Sequence, residues 1–157
     1  MKVVLLTIGK TSDGYLKEGI ANYTKRINRY NKFEIIELSS LKKNKSRLIK
    51  NVKNIEGEIL LNNIKSNDYV VLLDSKGVRY TSEKFALKIQ SLLNMTSKRI
   101  IFVVGGAYGF SKEVIDRCNE KISFSEMTFS HQMIRLFFVE QLYRGYTILK
   151  NEPYHHS

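Results

Sequence analysis

The chain alternates between two hydrophobic periods, and this alternation restricts its fold more than any other feature. Compact apolar runs occur at "KVVLLTI" (2–8), "KFEIIEL" (32–38), "DYVVLLD" (68–74), "RIIFVV" (99–104) and "KISF" (121–124). Runs of this length, rich in β-branched residues, read as strands; the most continuous ones suit strands covered on both faces. The segments between them change to helical spacing. Residues 13–30 place Tyr15, Leu16, Ile20, Tyr23 and Ile27 on one side, and 46–64 do the same with Leu48, Val52, Ile55 and Ile59. A helix over 82–93 is capped by Thr81 or Ser82, and Ser111 caps a short helix to about Asn119. The turn "SKG" (75–77) is expected to end the third strand. Strands alternating with helices predict an α/β fold: one domain over 1–157, a mostly parallel sheet flanked by helices, and right-handed crossovers.

Length is consistent with one domain that needs no disulfide. The lone Cys118 rules out an internal one and points to a reducing, cytoplasmic setting. No stretch approaches the roughly 20 apolar residues of a membrane span. The net charge of +11 speaks of partners: RNA, DNA or another phosphate-bearing surface, with plain solubility as the alternative. The segment 41–53 carries six Lys or Arg and no acid. It serves either as a phosphate-contact surface or as a solvated helix face.

In open parallel sheets, ligands bind beyond the carboxyl ends of the strands. Three such ends carry unusual loops: "LLDSKG" (72–77), "VVGGAYGF" (103–110) and "SFSEMTF" (123–129). The glycines of the second leave room for a flat ligand against the backbone, or simply make a tight turn. Several chemistries are disfavoured. The phosphate loop G-x-x-x-x-G-K-[ST] is missing, and G-G-x-x-G is not the dinucleotide fingerprint G-x-G-x-x-G, which weighs against a nicotinamide enzyme. The three histidines form no H-x-x-x-H and there is no C-x-x-C, so no metal is expected. A serine hydrolase would need a G-x-S-x-G elbow.

The segments "GGAYGF", "SFSEMTFSHQMIRLFFVEQLYRGYTI" and "EPYHHS" resemble the SPOUT-class RNA methyltransferases, specifically the ribosomal RNA large subunit methyltransferase H family. The resemblance runs from Ile8-Gly9-Lys10 through Glu56-Gly57 to Tyr154-His155. It implies an α/β knot (a trefoil knot) that works as a homodimer. It also implies transfer of a methyl group from S-adenosylmethionine to N3 of a pseudouridine in 23S ribosomal RNA, on the ribosome. By the family pattern the cofactor touches Leu73, Gly105, Phe124, Ser125, Glu126, Met127, Thr128 and Phe129. For Phe124, Met127 and Phe129 core packing is the competing reading. Ser130 stands where family members usually have proline, which predicts a less rigid loop.

The last helix, 131–150, is apolar almost all round, so it is expected to be buried on two sides. The second cover is either a two-fold related subunit or helices of the same chain. Glu140 and Arg144 stand at i, i+4 and either neutralise each other or act on substrate: Arg144 on RNA, Glu140 orienting a donor or taking the N3 proton. His155 is a second candidate base, raised above an ordinary tail residue by the resemblance. Tyr143 and Tyr154 are candidates for stacking on a base. Two rivals to a methyltransferase remain: a non-catalytic RNA-binding module with the same fold, and a Rossmann-type oxidoreductase.

Overall fold

The computed structural model describes residues 2–39, 49–95 and 98–156. Five strands form one sheet: β1 (Lys2–Ile8), β2 (Lys32–Leu38), β3 (Tyr69–Arg79), β4 (Ile100–Val104) and β5 (Glu120–Ser123). Their order is β2-β1-β4-β3-β5, and every pairing is parallel. Five helices connect and cover them: α1 (Gly14–Ile27), α2 (Ile49–Asn62), α3 (Ser82–Met95), α4 (Lys112–Arg117) and α5 (Met133–Leu149).

The apolar runs explain the layering. In β1 and β4 nearly every residue is buried, because helices cover both faces of the central strands. Val3, Leu5, Phe102 and Val104 point into one core with α1, α3 and α5. Val4, Leu6, Ile101 and Val103 point the other way, into a second core with Leu60 of α2 and Val114 of α4. Thr81 caps α3 by accepting from the Lys84 N–H at 3.2 Å, and the Ser111 hydroxyl caps α4 by accepting from Val114. The basic segment 41–53 lies largely outside the described residues.

One expectation changes. The sequence "SKG" does not end β3. The strand bulges after Leu73 and rejoins β5 at Val78 and Arg79, opposite Ile122 and Ser123. A Cβ on Gly77 would lie 2.6 Å from the backbone of Lys121 and Ile122, so glycine is required by the approach of two main chains rather than by a turn. The last helix packs against α1 and α3 of its own chain above the sheet. Phe137 remains exposed on its outer side.

Arg135 of α5 is only 1 % exposed, yet it is fully engaged. Its guanidinium donates to the carbonyls of Ile8 and Gly9 (both 2.9 Å) and of His131 (3.0 Å), and to the Thr11 hydroxyl (3.2 Å). Gln132 adds a bond to the Lys10 carbonyl at 3.1 Å. The loop after β1, which carries Ile8-Gly9-Lys10, is thus fastened to the start of α5. That start in turn sets the position of His131.

Candidate functional site

The three strand ends singled out above meet around one cavity of about 490 Å³. Its walls come from the ends of β3, β4 and β5 and from the loop 124–131 that leads into α5. Leu73, Gly105, Phe124, Ser125, Met127, Thr128 and Phe129 all line it. Glu126 does not: its carboxylate turns outward into an ion pair with Arg79. The sequence reading omitted Asp74, Ser75, Gly106, Phe110 and His131, which also form the walls. Asp74 and Ser75 directly follow Leu73 in a loop already marked, so the register of that loop could have supplied them.

The glycine pair is held from behind. The Gly106 N–H donates to the carboxylate of Glu56 on α2, and burial raises the pKa of that carboxylate while the bond opposes the shift. A Cβ on Gly106 would fall 2.3 Å from a Glu56 oxygen, so a side chain there would have to displace the Glu56 carboxylate. The loop then turns back on itself, with the Gly109 N–H donating to the Gly106 carbonyl at 3.2 Å. Phe124 is both wall and core: it stacks on Phe138 at 6.1 Å and meets the Phe85 edge at 5.6 Å. Ser130, in the place of the family's proline, lines the cavity and ties the turn before α5, its hydroxyl accepting from the Met133 N–H at 3.0 Å.

The cavity differs electrostatically from the rest of the chain. The sequence has a net charge of +11, yet among the described residues no Lys or Arg lines this cavity. Its ionisable walls are Asp74 and His131. Burial lowers the His131 pKa, and the neighbouring Arg135 charge lowers it further, so the imidazole is neutral at neutral pH.

Glu140, Arg144 and His155 come together, but away from this cavity. Arg144 donates to Glu140 Oε1 through Nε (3.1 Å) and Nη2 (2.5 Å), and its Nη1 lies 3.2 Å from His155 Nδ1. An arginine N–H only donates, so Nδ1 accepts and the ring proton sits on Nε2, which faces Glu83 Oε1 at 2.8 Å. The Tyr154 hydroxyl also donates to Glu140 Oε1 (3.1 Å), and its ring lies 4.8 Å from the Arg144 guanidinium carbon. Burial, the Tyr23 hydrogen bond and the Glu140 charge all push the Tyr154 pKa upward. Tyr143 packs edge-on against Tyr154 at 4.7 Å, among Tyr23 and Tyr30, as part of the aromatic layer between α1 and α5. The tail is therefore folded onto its own subunit, with Glu152 accepting from the Tyr30 hydroxyl at 2.5 Å. Glu83, Tyr23 and Tyr30 were not legible as partners, because nothing in a linear pattern brings α1, α3 and the tail together. His131 touches the donor-side cavity, whereas Glu140 and Arg144 lie about 13–20 Å further along the helix axis.

A parallel five-stranded sheet with its ligand cavity at a three-loop strand edge defines a class. A structure titled probable methyltransferase from Bordetella pertussis Tohama I aligns over 93 % of both chains with a TM-score of 0.56 at 9 % identity, a likeness of fold. A family model described as "Predicted SPOUT methyltransferase" matches residues 1–155, and the chain belongs to that family. Within it, the chain is 51 % identical over 156 residues to the ribosomal RNA large subunit methyltransferase H of Christiangramia forsetii, covering 99 % of each. It is 48 % identical to the protein of the same name from Parabacteroides distasonis, over the full length of both. Among the described residues, no helix is long and apolar enough to cross a membrane, and no group of three or more His, Cys, Asp or Glu could hold a metal ion.

Proposed function

We propose that this single-domain protein is a cytoplasmic S-adenosylmethionine-dependent methyltransferase acting on N3 of a pseudouridine in 23S ribosomal RNA, as a homodimer. The observation that carries the cofactor assignment is the charge of the large cavity. A phosphate-bearing dinucleotide calls for cations or a helix N-terminus in its site. S-adenosylmethionine carries a sulfonium, an ammonium and a carboxylate, so its net charge is positive, and the walls hold a carboxylate, a neutral imidazole and, among the described residues, no Lys or Arg. This also disfavours the oxidoreductase reading. In this reading the backbone of Leu73, Gly105 and 124–129 meets the adenine edge and Asp74 a positive charge of the cofactor; what supports it is that these residues, apart from the Glu126 side chain, line the cavity. When bound, the cofactor supplies an electrophilic methyl group. The protein's part is to orient the acceptor nitrogen toward it and to keep water from the sulfonium.

Glu140 acts by position. Its Oε1 accepts three hydrogen bonds, so it fixes Arg144 and Tyr154 rather than serving as the first proton acceptor. Arg144 keeps N–H groups beyond those bonds for a phosphate or base. His155 has its Nδ1 turned to Arg144 and reaches the N3 proton only if that contact opens; water is the acceptor otherwise. Because the cluster stands off the cavity of its own subunit, a two-fold partner bringing its cluster to the opposite cavity is the arrangement we assign. Calorimetry with S-adenosylmethionine, methylation of ribosomes from a strain lacking the protein, and mapping of the modified nucleotide test the reading. Saturable donor binding with methyl transfer to one uridine-derived position is expected. Donor binding with no transfer to any ribosomal RNA would replace the enzyme by an RNA-binding module.

A further inference from the structure

A second cavity, about 230 Å³, opens beside the first and shares Phe124 and Phe129 with it. We propose that it receives the base to be methylated, as one neutral pyrimidine ring; this rests on the methyltransferase reading above. Its remaining walls include Tyr80, Ser82, Phe137 and Gln141, and none of its lining residues is charged. A phosphate would require cations there, whereas a flat heterocycle requires aromatic faces and a few neutral hydrogen-bonding groups. The volume lies below the ~300 Å³ at which pockets for larger ligands begin, so it suits a ring without its sugar and phosphate.

Two further features fit that occupant. Phe129 and Phe137 are 36 % and 38 % exposed, with ring centres 4.7 Å apart, and so present aromatic surface that the core has not consumed. At the polar end, the Ser82 hydroxyl donates to Gln141 Oε1 at 2.7 Å, and Gln141 Nε2 donates to Glu140 Oε2 at 2.9 Å. A carboxylate only accepts, so Glu140 fixes which way the Gln141 amide points. The glutamine thereby joins the small cavity to the Glu140–Arg144–His155 cluster. A base seated there lies directly beside the donor cavity, across the shared Phe124 and Phe129.

The test uses the full-length variants Phe137→Ala and Gln141→Leu, with large-subunit ribosomal particles from cells lacking the enzyme as substrate. Donor affinity is read by calorimetry and assembly by sedimentation. The expected result is a fall in kcat/KM for the particles of about tenfold or more, the order seen when a stacking ring is removed, with donor affinity and sedimentation unchanged. An unaltered kcat/KM overturns the inference. So does a matching loss of donor affinity, which would make the small cavity part of the donor site, or a change in sedimentation that activity follows, which would make it a subunit contact. A wild-type protein that binds donor yet methylates no particle refutes the activity itself, and the base site with it.

Discussion

Gly77→Ala is the substitution whose effect the coordinates define most sharply. The added Cβ would sit 2.6 Å from Ile122 N, Ile122 C and Lys121 C, all main-chain atoms with no rotamer to change. Carbon atoms rest at about 3.5–4.0 Å, so β3 and β5 would have to separate by roughly 1 Å. An ordinary ladder bond near 2.9 Å would then be about 3.9 Å, outside hydrogen-bonding range. The pairing of Val78 and Arg79 with Ile122 and Ser123 is lost first. Two such bonds at about 0.5–1.5 kcal/mol each, with an overpacking cost of about 1–3 kcal/mol, give a destabilisation of about 2–5 kcal/mol. For a chain of this size that lowers Tm by about 5–15 °C. Ile122 and Ser123 are also walls of the donor cavity, so S-adenosylmethionine affinity falls with stability. Thermal melts and calorimetry measure both, with Lys76→Ala, an exposed neighbour outside the cavity wall, as the control. A Gly77→Ala protein melting within about 2 °C of wild type, with donor affinity intact, would refute the close approach of the two backbones.

Three other outcomes are expected. Arg135→Met takes the guanidinium away from the carbonyls of Ile8 and Gly9, at about 1–3 kcal/mol for the buried Ile8 group, and should lower the urea midpoint without changing the slope. His131 has a folded-state pKa below its unfolded value, so the stability it contributes is present above about pH 6.5 and is lost as pH falls through the lower folded value. Donor affinity should decline over the same interval, as an imidazolium comes to face the sulfonium, and His131→Gln should flatten that pH profile in calorimetry. Arg144→Ala should reduce kcat/KM for methyl transfer by about 10–100-fold while donor affinity stays within about twofold, since its contacts lie off the donor cavity; equal losses in both would indicate collapse of the site instead.

The sequence announces most of this fold because its central strands are buried on both sides. Residues 2–8 have the predicted bounds because an unbroken apolar run has few other uses in a chain this short; residues 32–38 have them too, although β2 is an edge strand carrying Lys32, Glu34 and Glu37. The large cavity was legible for a different reason: parallel strands place their carboxyl ends together, and three of those ends carried loops with unusual residues. The bulge in β3 was not legible, because "SKG" looks the same in a turn and in a strand that must let another backbone pass. Nor was the Arg135 clamp, whose partners are mainly carbonyls and have no signature in side-chain types. Glu126 was placed in the cavity by its position in the family motif, and only the geometry shows its side chain leaving toward Arg79. Periodicity left open which neighbours cover the last helix, because it reports how much of a helix is apolar and not what packs against it.

The strand order has a consequence for biosynthesis. β1 lies inside the sheet and pairs with β2 on one edge and with β4 on the other, Val3 standing opposite Ile100. During translation, β2 follows β1 within one helix, but β4 emerges roughly a hundred residues after it, a delay of about 5–20 s at ordinary elongation rates. For that interval one edge of the N-terminal strand displays open N–H and C=O groups flanked by valine and leucine side chains, the kind of surface that recruits unwanted strands. Yield of the intact protein should therefore depend on holdase supply and on slow induction. A synonymous recoding that speeds elongation between codons 40 and 100 should shorten the exposure and raise the soluble fraction.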